Sequence, residues 1–162
     1  MNWKTLLLSP EGRMSQGDFW ICALILFVAW VISHLFHVFA PLIWLLLVYM
    51  WVCVYAKRLH DFGKSAWLIL VPFVVAAGAF FLGLVFGGLS AIGAIFAMIT
   101  HGTEPSAWAT MFAGLGIMLA FVGFAAVAKL AFLLWVGLSP SDPGDNRYGP
   151  PPVHAAAARP TV

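Results

Sequence analysis

The stretch Lys57-Arg58-Leu59-His60-Asp61-Phe62-Gly63-Lys64-Ser65-Ala66-Trp67 is a charged island between two long apolar runs. Four of the chain's fourteen Lys, Arg, Asp and Glu residues fall between Lys57 and Lys64, whereas 19–56 and 65–103 contain none. Runs of that length decide the fold. A hydrocarbon core about 30 Å thick is crossed by roughly 20 apolar residues at 1.5 Å each. With 63% hydrophobic and 9% charged residues among 162, the composition lies far from that of water-soluble domains, of which about a quarter is charged. The expected class is an all-α integral membrane protein with four transmembrane helices.

On either side of the island, the spans are expected at about 19–40, 41–58, 66–87 and 107–136. Pro41 suits the first turn of a new helix, where its missing N–H costs nothing, so the first two spans form a tight hairpin. Gly63 has the character of a helix terminator and Ser65 that of the next N-cap. The run 66–100 is too long for one span. Either a span ending near residue 87 is followed by an outer interfacial helix, or two short spans fold back at Gly87-Gly88. Residues 1–152 are expected to form the membrane domain, and 153–162 a disordered tail. No early basic, apolar and small-residue sequence of a cleaved signal is expected, because Leu6-Leu7-Leu8 stops at Ser9-Pro10.

Basic residues orient the bundle. They cluster at Lys4 and Arg13, at Lys57, Arg58 and Lys64, and at Arg147 and Arg159. Four spans bring all three clusters to one side, and the positive-inside rule makes that side cytoplasmic, together with both termini. Trp20, Trp51, Trp67 and Trp135 then lie near inner ends of spans, and Trp44 and Trp108 near outer ends. Cys22 and Cys53 fall inside spans near the inner face and read as buried free thiols. Ala79, Gly83 and Gly87, at four-residue spacing, allow close helix approach, either within the bundle or between copies, and Gly116 and Gly123 are candidates for the same part.

Three blocks carry a family resemblance. They are Gly12-Arg13-Met14-Ser15 with Phe19-Trp20, then Arg58-Leu59-His60-Asp61 with Gly63-Lys64-Ser65 and Trp67, then Pro143-Gly144-Asp145-Asn146-Arg147-Tyr148-Gly149-Pro150. In this order they resemble the domain-of-unknown-function 805 family of small bacterial inner-membrane proteins. The chain departs from that pattern at Gln16, where a basic residue is common, at Ala66, where glycine is usual, and in a longer stretch at about 85–112. The resemblance implies a helical bundle in the inner membrane and no established activity.

All three blocks are expected on the cytoplasmic face. Arg13, Lys57, Arg58, His60, Asp61, Lys64, Asp145, Asn146 and Arg147 therefore form a candidate cluster. Lys57 and Asp61, or Arg58 and Asp61, are spaced to pair on one helix. The cluster either binds a phosphate-bearing headgroup or anionic solute, or clamps loop and tail together, with topological anchoring as the plain alternative. Lys129 is the one charge within a span. It either snorkels, pairs with Asp18 or Asp61, or lines a polar path. His34, His37, His101 and Glu104 at one depth match no recognised metal motif, and no metal or cofactor is expected. His60 and Asp61 are the only base-and-orienter pair a lipid-modifying enzyme could use. The leading expectation is a non-enzymatic membrane scaffold or accessory protein, with a small oligomeric transport module using Lys129 as the alternative. Expected partners are membrane lipid and a second copy or another membrane protein, not nucleic acid.

Overall fold

The computed structural model describes residues 3–35, 40–102 and 104–152. Among them the elements are all helices: α1 (Trp3–Leu8), α2 (Gln16–Ser33), α3 (Ala40–Asp61), a 3-10 turn (Ala66–Ile69), α4 (Leu70–Gly83), a π-helical turn (Leu84–Gly88), α5 (Leu89–His101) and α6 (Pro105–Leu138). Four runs are long and apolar enough to cross a membrane: Gln16–Ser33, Pro41–Asp61, Ala66–His101 and Pro105–Leu138. Their outer faces carry large apolar side chains in the open, such as Trp67 and Ile99, each 77% exposed. Water does not tolerate contiguous apolar surface on that scale, whereas lipid does. The chain is an all-α, multi-pass membrane protein. His37 and the expected tail 153–162 lie outside the described residues.

Local chemistry sets the helix ends. α2 begins at Gln16 rather than Phe19 because Ser15 caps it. The Ser15 Oγ accepts from the Asp18 N–H at 3.2 Å, the side-chain cap of an N-cap serine, and donates to Asp18 Oδ2 at 2.8 Å. α3 runs to Asp61, three residues past its expected end. It stops in a Schellman turn: Lys64 N–H donates to Leu59 O at 2.8 Å and Gly63 N–H to His60 O at 3.1 Å, with Gly63 at φ +72°. Arg58, His60 and Asp61 are thus helical residues in α3's last turn.

The structure shows no fold-back at Gly87-Gly88. Gly88 (φ −65°, ψ −47°) and Leu89 (φ −64°, ψ −37°) are right-handed helical, and Ala66–His101 is one helical run of 36 residues, about 54 Å long. The feature at the two glycines is a single π-helical turn, Leu84–Gly88, inside the helical run. A Cβ at Gly87 would lie 2.3 Å from Gly114 O and 2.7 Å from Met118 N, so α6 crosses there on bare backbone.

The chain divides into two compact units, residues up to Ile69 with those from Leu134 onward, and Leu70–Leu133. In the first, α2 turns Phe19, Cys22, Ala23 and Leu26 inward, at the i, i+3, i+4, i+7 spacing of one helix face. Cys53, Val54 and Leu59 of α3 are buried with them, and so are Met14 and Val136. Both cysteines are buried free thiols. In the second unit Ala79, Gly83 and Gly87 are buried, and a Cβ at Gly83 would touch Phe121 at 3.1 Å. This small-residue stripe serves packing within the chain, whereas Cβ atoms at Gly116 and Gly123 would have no heavy atom within 4 Å.

Candidate functional site

The end of α3 is where the three polar blocks meet. Ahead of the Ser15 cap, the Met14 N–H donates to Lys57 O at 3.3 Å, which lays Arg13 against the last turn of α3. After α6 ends, the chain returns to the same place: the Asp142 N–H donates to Asp61 O at 2.9 Å. Asn146 and Gly149 then close a tight turn through N–H···O bonds of 3.2 and 2.9 Å.

Arg13 is the hub. Its Nε donates to Asp61 Oδ1 at 3.2 Å, Nη1 to Gly144 O at 2.6 Å and Gly149 O at 3.3 Å, and Nη2 to Asp61 O at 3.0 Å and Asp142 O at 2.6 Å. A guanidinium has five N–H donors, and these bonds use them all. Arg58 is engaged on all three nitrogens. Nε donates to Val136 O at 3.1 Å, Nη1 to Asp61 Oδ2, to Ser141 Oγ at 3.1 Å and to Met14 O at 3.4 Å, and Nη2 to Ser139 O. Ser141 also donates to Asp61 Oδ2. The side chains of Arg13, Arg58 and Asp61 are 1%, 0% and 0% exposed.

Two guanidiniums therefore share one carboxylate out of water. The surplus positive charge falls on backbone carbonyls. Asp61, Asp142, Gly144 and Gly149 serve Arg13, and Met14, Val136 and Ser139 serve Arg58. Val136 belongs to the last turn of α6, whose carbonyls lack intrahelical partners and carry the negative end of the helix dipole. Arg58 thus caps α6 from α3. Among the described residues no buried side-chain nitrogen or oxygen is left without a hydrogen bond.

The other expected cluster members separate into distinct roles. Lys57 is 3% exposed and does not pair with Asp61. Its Nζ donates to Thr5 O and Leu6 O, two of the open carbonyls at the end of α1, while Tyr49 Oη takes Leu8 O at 2.8 Å. Lys57, four residues before Asp61, and Arg58, three before it, are both spaced to reach its carboxylate; Arg58 takes it, while Lys57 extends to α1. His60, adjacent in sequence, is turned about 100° from Asp61 around the helix. Its ring stacks on Tyr148 at 3.7 Å and 10°, and Nδ1 lies 3.3 Å from Gly12 O. No hydrogen bond joins His60 and Asp61 among the described residues, so the geometry assembles no base-and-orienter pair.

Asn146 joins the clamp. Its Nδ2 donates to His60 O at 3.0 Å and to Asp142 Oδ2 at 3.2 Å. Arg147 does not reach Asp61; it lies exposed over the Tyr148 ring at 4.7 Å, with Nη2 3.4 Å from Gly63 O. Lys64 and Asp145 are exposed. The carboxylates considered for Lys129 are engaged, Asp61 as above and Asp18 by Ser15. Lys129 is exposed, its ammonium 6.0 Å from the Phe73 ring centroid. His34 stacks edge-on against Trp30 and reaches Trp30 O at 2.8 Å, and no group of three metal-ligating side chains occurs among the described residues.

Ser141, Asp142 and the seven acceptor carbonyls escape a sequence reading. A Ser-Pro-Ser-Asp run after a span looks like any polar loop, and a backbone carbonyl has no signature in sequence. Site and fold together define a multi-pass helical membrane protein whose N-terminal lead-in, interhelical turn and C-terminal segment are locked by buried arginines. A family model described as Protein of unknown function (DUF805) matches residues 7–150, and the chain belongs to that family. Comparison with curated proteins and with solved structures gives no match.

Proposed function

We propose that this is a non-enzymatic scaffold or accessory protein of the bacterial inner membrane, with both termini cytoplasmic. Its clamped face presents exposed cations to anionic lipid headgroups or to a membrane partner. One observation carries this reading: the Arg13 guanidinium spends every donor inside the protein. A ligand-binding arginine keeps donors for its ligand; this one has none left. Among the described residues of this face the outward cations are Lys64 and Arg147, and the Trp67 indole of the same turn region is exposed too, a composition suited to a headgroup interface. The gathering of basic blocks on one side supports a cytoplasmic placement, and the family resemblance supports the inner membrane.

The test uses purified protein exchanged into phosphatidylcholine vesicles containing phosphatidylglycerol. Combining Lys64→Ala with Arg147→Ala should lower retention of the anionic lipid about thirtyfold, at about 1 kcal/mol per cation near a surface, without changing protein level. Arg58→Ala should instead lower the level itself. Normal accumulation of Arg58→Ala together with unchanged lipid retention in the double variant would overturn the reading.

A further inference from the structure

Lys129 is a charge within a span that the clamp and its rim leave unexplained. It stands in α6, nine residues before the helix ends at Leu138. Trp108 and Trp135, both 44% exposed, are 27 positions apart on the same helix. That spacing is about 40 Å, close to the thickness of a bilayer with its interfacial layers, so the two indoles mark the two interfaces. Lys129 lies six positions inside Trp135, about 9 Å toward the bilayer centre. Its side chain is exposed, and it takes part in no ion pair among the described residues. The ammonium is held near the Phe73 ring, 6.0 Å from its centroid, at the outer limit for a cation–π contact.

A lysine at that depth is stabilised by an anion or by water at the interface. Insertion costs on the order of 3 kcal/mol at a bilayer centre, and the cost falls as the ammonium reaches headgroups or draws polar groups in. The anions within reach of an outward-facing side chain about 9 Å inside the interface are lipid phosphates. A phosphate drawn slightly below its usual plane and a lysine stem extended toward Trp135 meet halfway. Phe73 offers an apolar floor, exposed to 55%, on which the glycerol backbone and first acyl methylenes can lie. A cation above an aromatic floor at the polar–apolar boundary matches the two halves of a phospholipid.

We propose that Lys129 and Phe73 form a binding site for an anionic phospholipid, the lysine ammonium donating to its phosphate and Phe73 packing against its glycerol and upper acyl chain. This site uses different residues from the Lys64 and Arg147 rim and does not depend on it.

The experiment uses full-length protein in phosphatidylcholine vesicles doped with spin-labelled phosphatidylglycerol or spin-labelled phosphatidylcholine, reading the motionally restricted lipid fraction. The wild type should prefer phosphatidylglycerol. Lys129→Met should lower that preference about fivefold, the equivalent of one near-surface cation, and Lys129→Arg should keep it. A photoactivatable phosphatidylglycerol on the wild-type protein should label peptides containing Phe73 and Lys129, and should still do so in the Lys64→Ala/Arg147→Ala variant. Unlabelled peptides, or a preference unchanged in Lys129→Met, would overturn the site. If Lys129→Met leaves the lipid preference intact and shifts the protein to a smaller assembly, the lysine's partner is another chain, and the lipid site is likewise overturned.

Discussion

Arg13 and Asp61 are 48 positions apart in the chain, yet Arg13 grips Asp61 twice, through the carboxylate (Nε to Oδ1, 3.2 Å) and through the backbone carbonyl (Nη2 to O, 3.0 Å). One contact neutralises a charge; the other occupies an open carbonyl at the end of α3. The lead-in is thereby tied to a helix terminus, and the same guanidinium reaches on to Asp142, Gly144 and Gly149.

Substitutions here should rank by what they leave unpaired. Asp61→Asn leaves two buried guanidiniums without an anion and should cost about 3–5 kcal/mol, the range for breaking a buried ion pair from one side. Arg13→Lys keeps the charge but offers three donors from one nitrogen in place of a five-donor fork, so it should also destabilise, by a smaller amount. Thermal unfolding of the purified protein in detergent checks the order. The wild-type midpoint should barely respond to added salt, because buried pairs are weakly screened.

A second prediction separates glycines that look alike in sequence. At Gly87 an added Cβ would lie 2.3 Å from Gly114 O and 2.7 Å from Met118 N, both backbone atoms that cannot rotate aside, whereas at Gly116 it would meet nothing within 4 Å. Gly87→Ala should lower the unfolding midpoint clearly, by roughly the 1–3 kcal/mol typical of overpacking. Gly116→Ala should be neutral or slightly stabilising, since alanine favours a helix interior over glycine by about 1 kcal/mol. Equal effects of the two would mean that the π-turn crossing is not a tight contact.

Composition and local chemistry make part of this protein legible in its sequence. The four long apolar runs and the stop at Gly63 can be read because hydrocarbon thickness and positive φ act on short stretches of chain. So can the Arg58–Asp61 pair, a matter of three-residue helical spacing. The Ser15 cap is equally local, with Asp18 three residues on, but an expected start at Phe19 passes over it. Lys57 is different. Reading it as a member of the charged cluster rests on its neighbours in sequence, whereas its actual partners are carbonyls of α1, supplied by folding of a segment some fifty positions away. The continuity of Ala66–His101 is hidden for a related reason: Gly87-Gly88 suggests a turn in isolation, and only the approach of α6 shows that the glycines are there for packing.

The C-terminal segment supplies the last prediction. Asp142, Gly144 and Gly149 accept three of Arg13's five hydrogen bonds, and Ser141 joins Arg58 to Asp61. A chain ending at Pro140 keeps every apolar run and loses all four residues. Both guanidiniums would then stay at the end of α3 with one carboxylate and too few acceptors, and unmade hydrogen bonds of charged groups cost more than about 1–3 kcal/mol each. Several such losses approach the whole stability of a small domain, about 5–15 kcal/mol. The truncated chain should therefore insert but fail to accumulate, whereas Tyr148→Ala, which removes the 3.7 Å stack on His60 and spares the acceptors, should cost only about 0.5–1.5 kcal/mol beyond lost burial. Steady-state levels of the two variants, with protease resistance of the membrane-embedded protein, separate these outcomes. A truncated chain as abundant and as resistant as wild type would show that the apolar runs alone hold the bundle, with the arginine clamp an accessory to it.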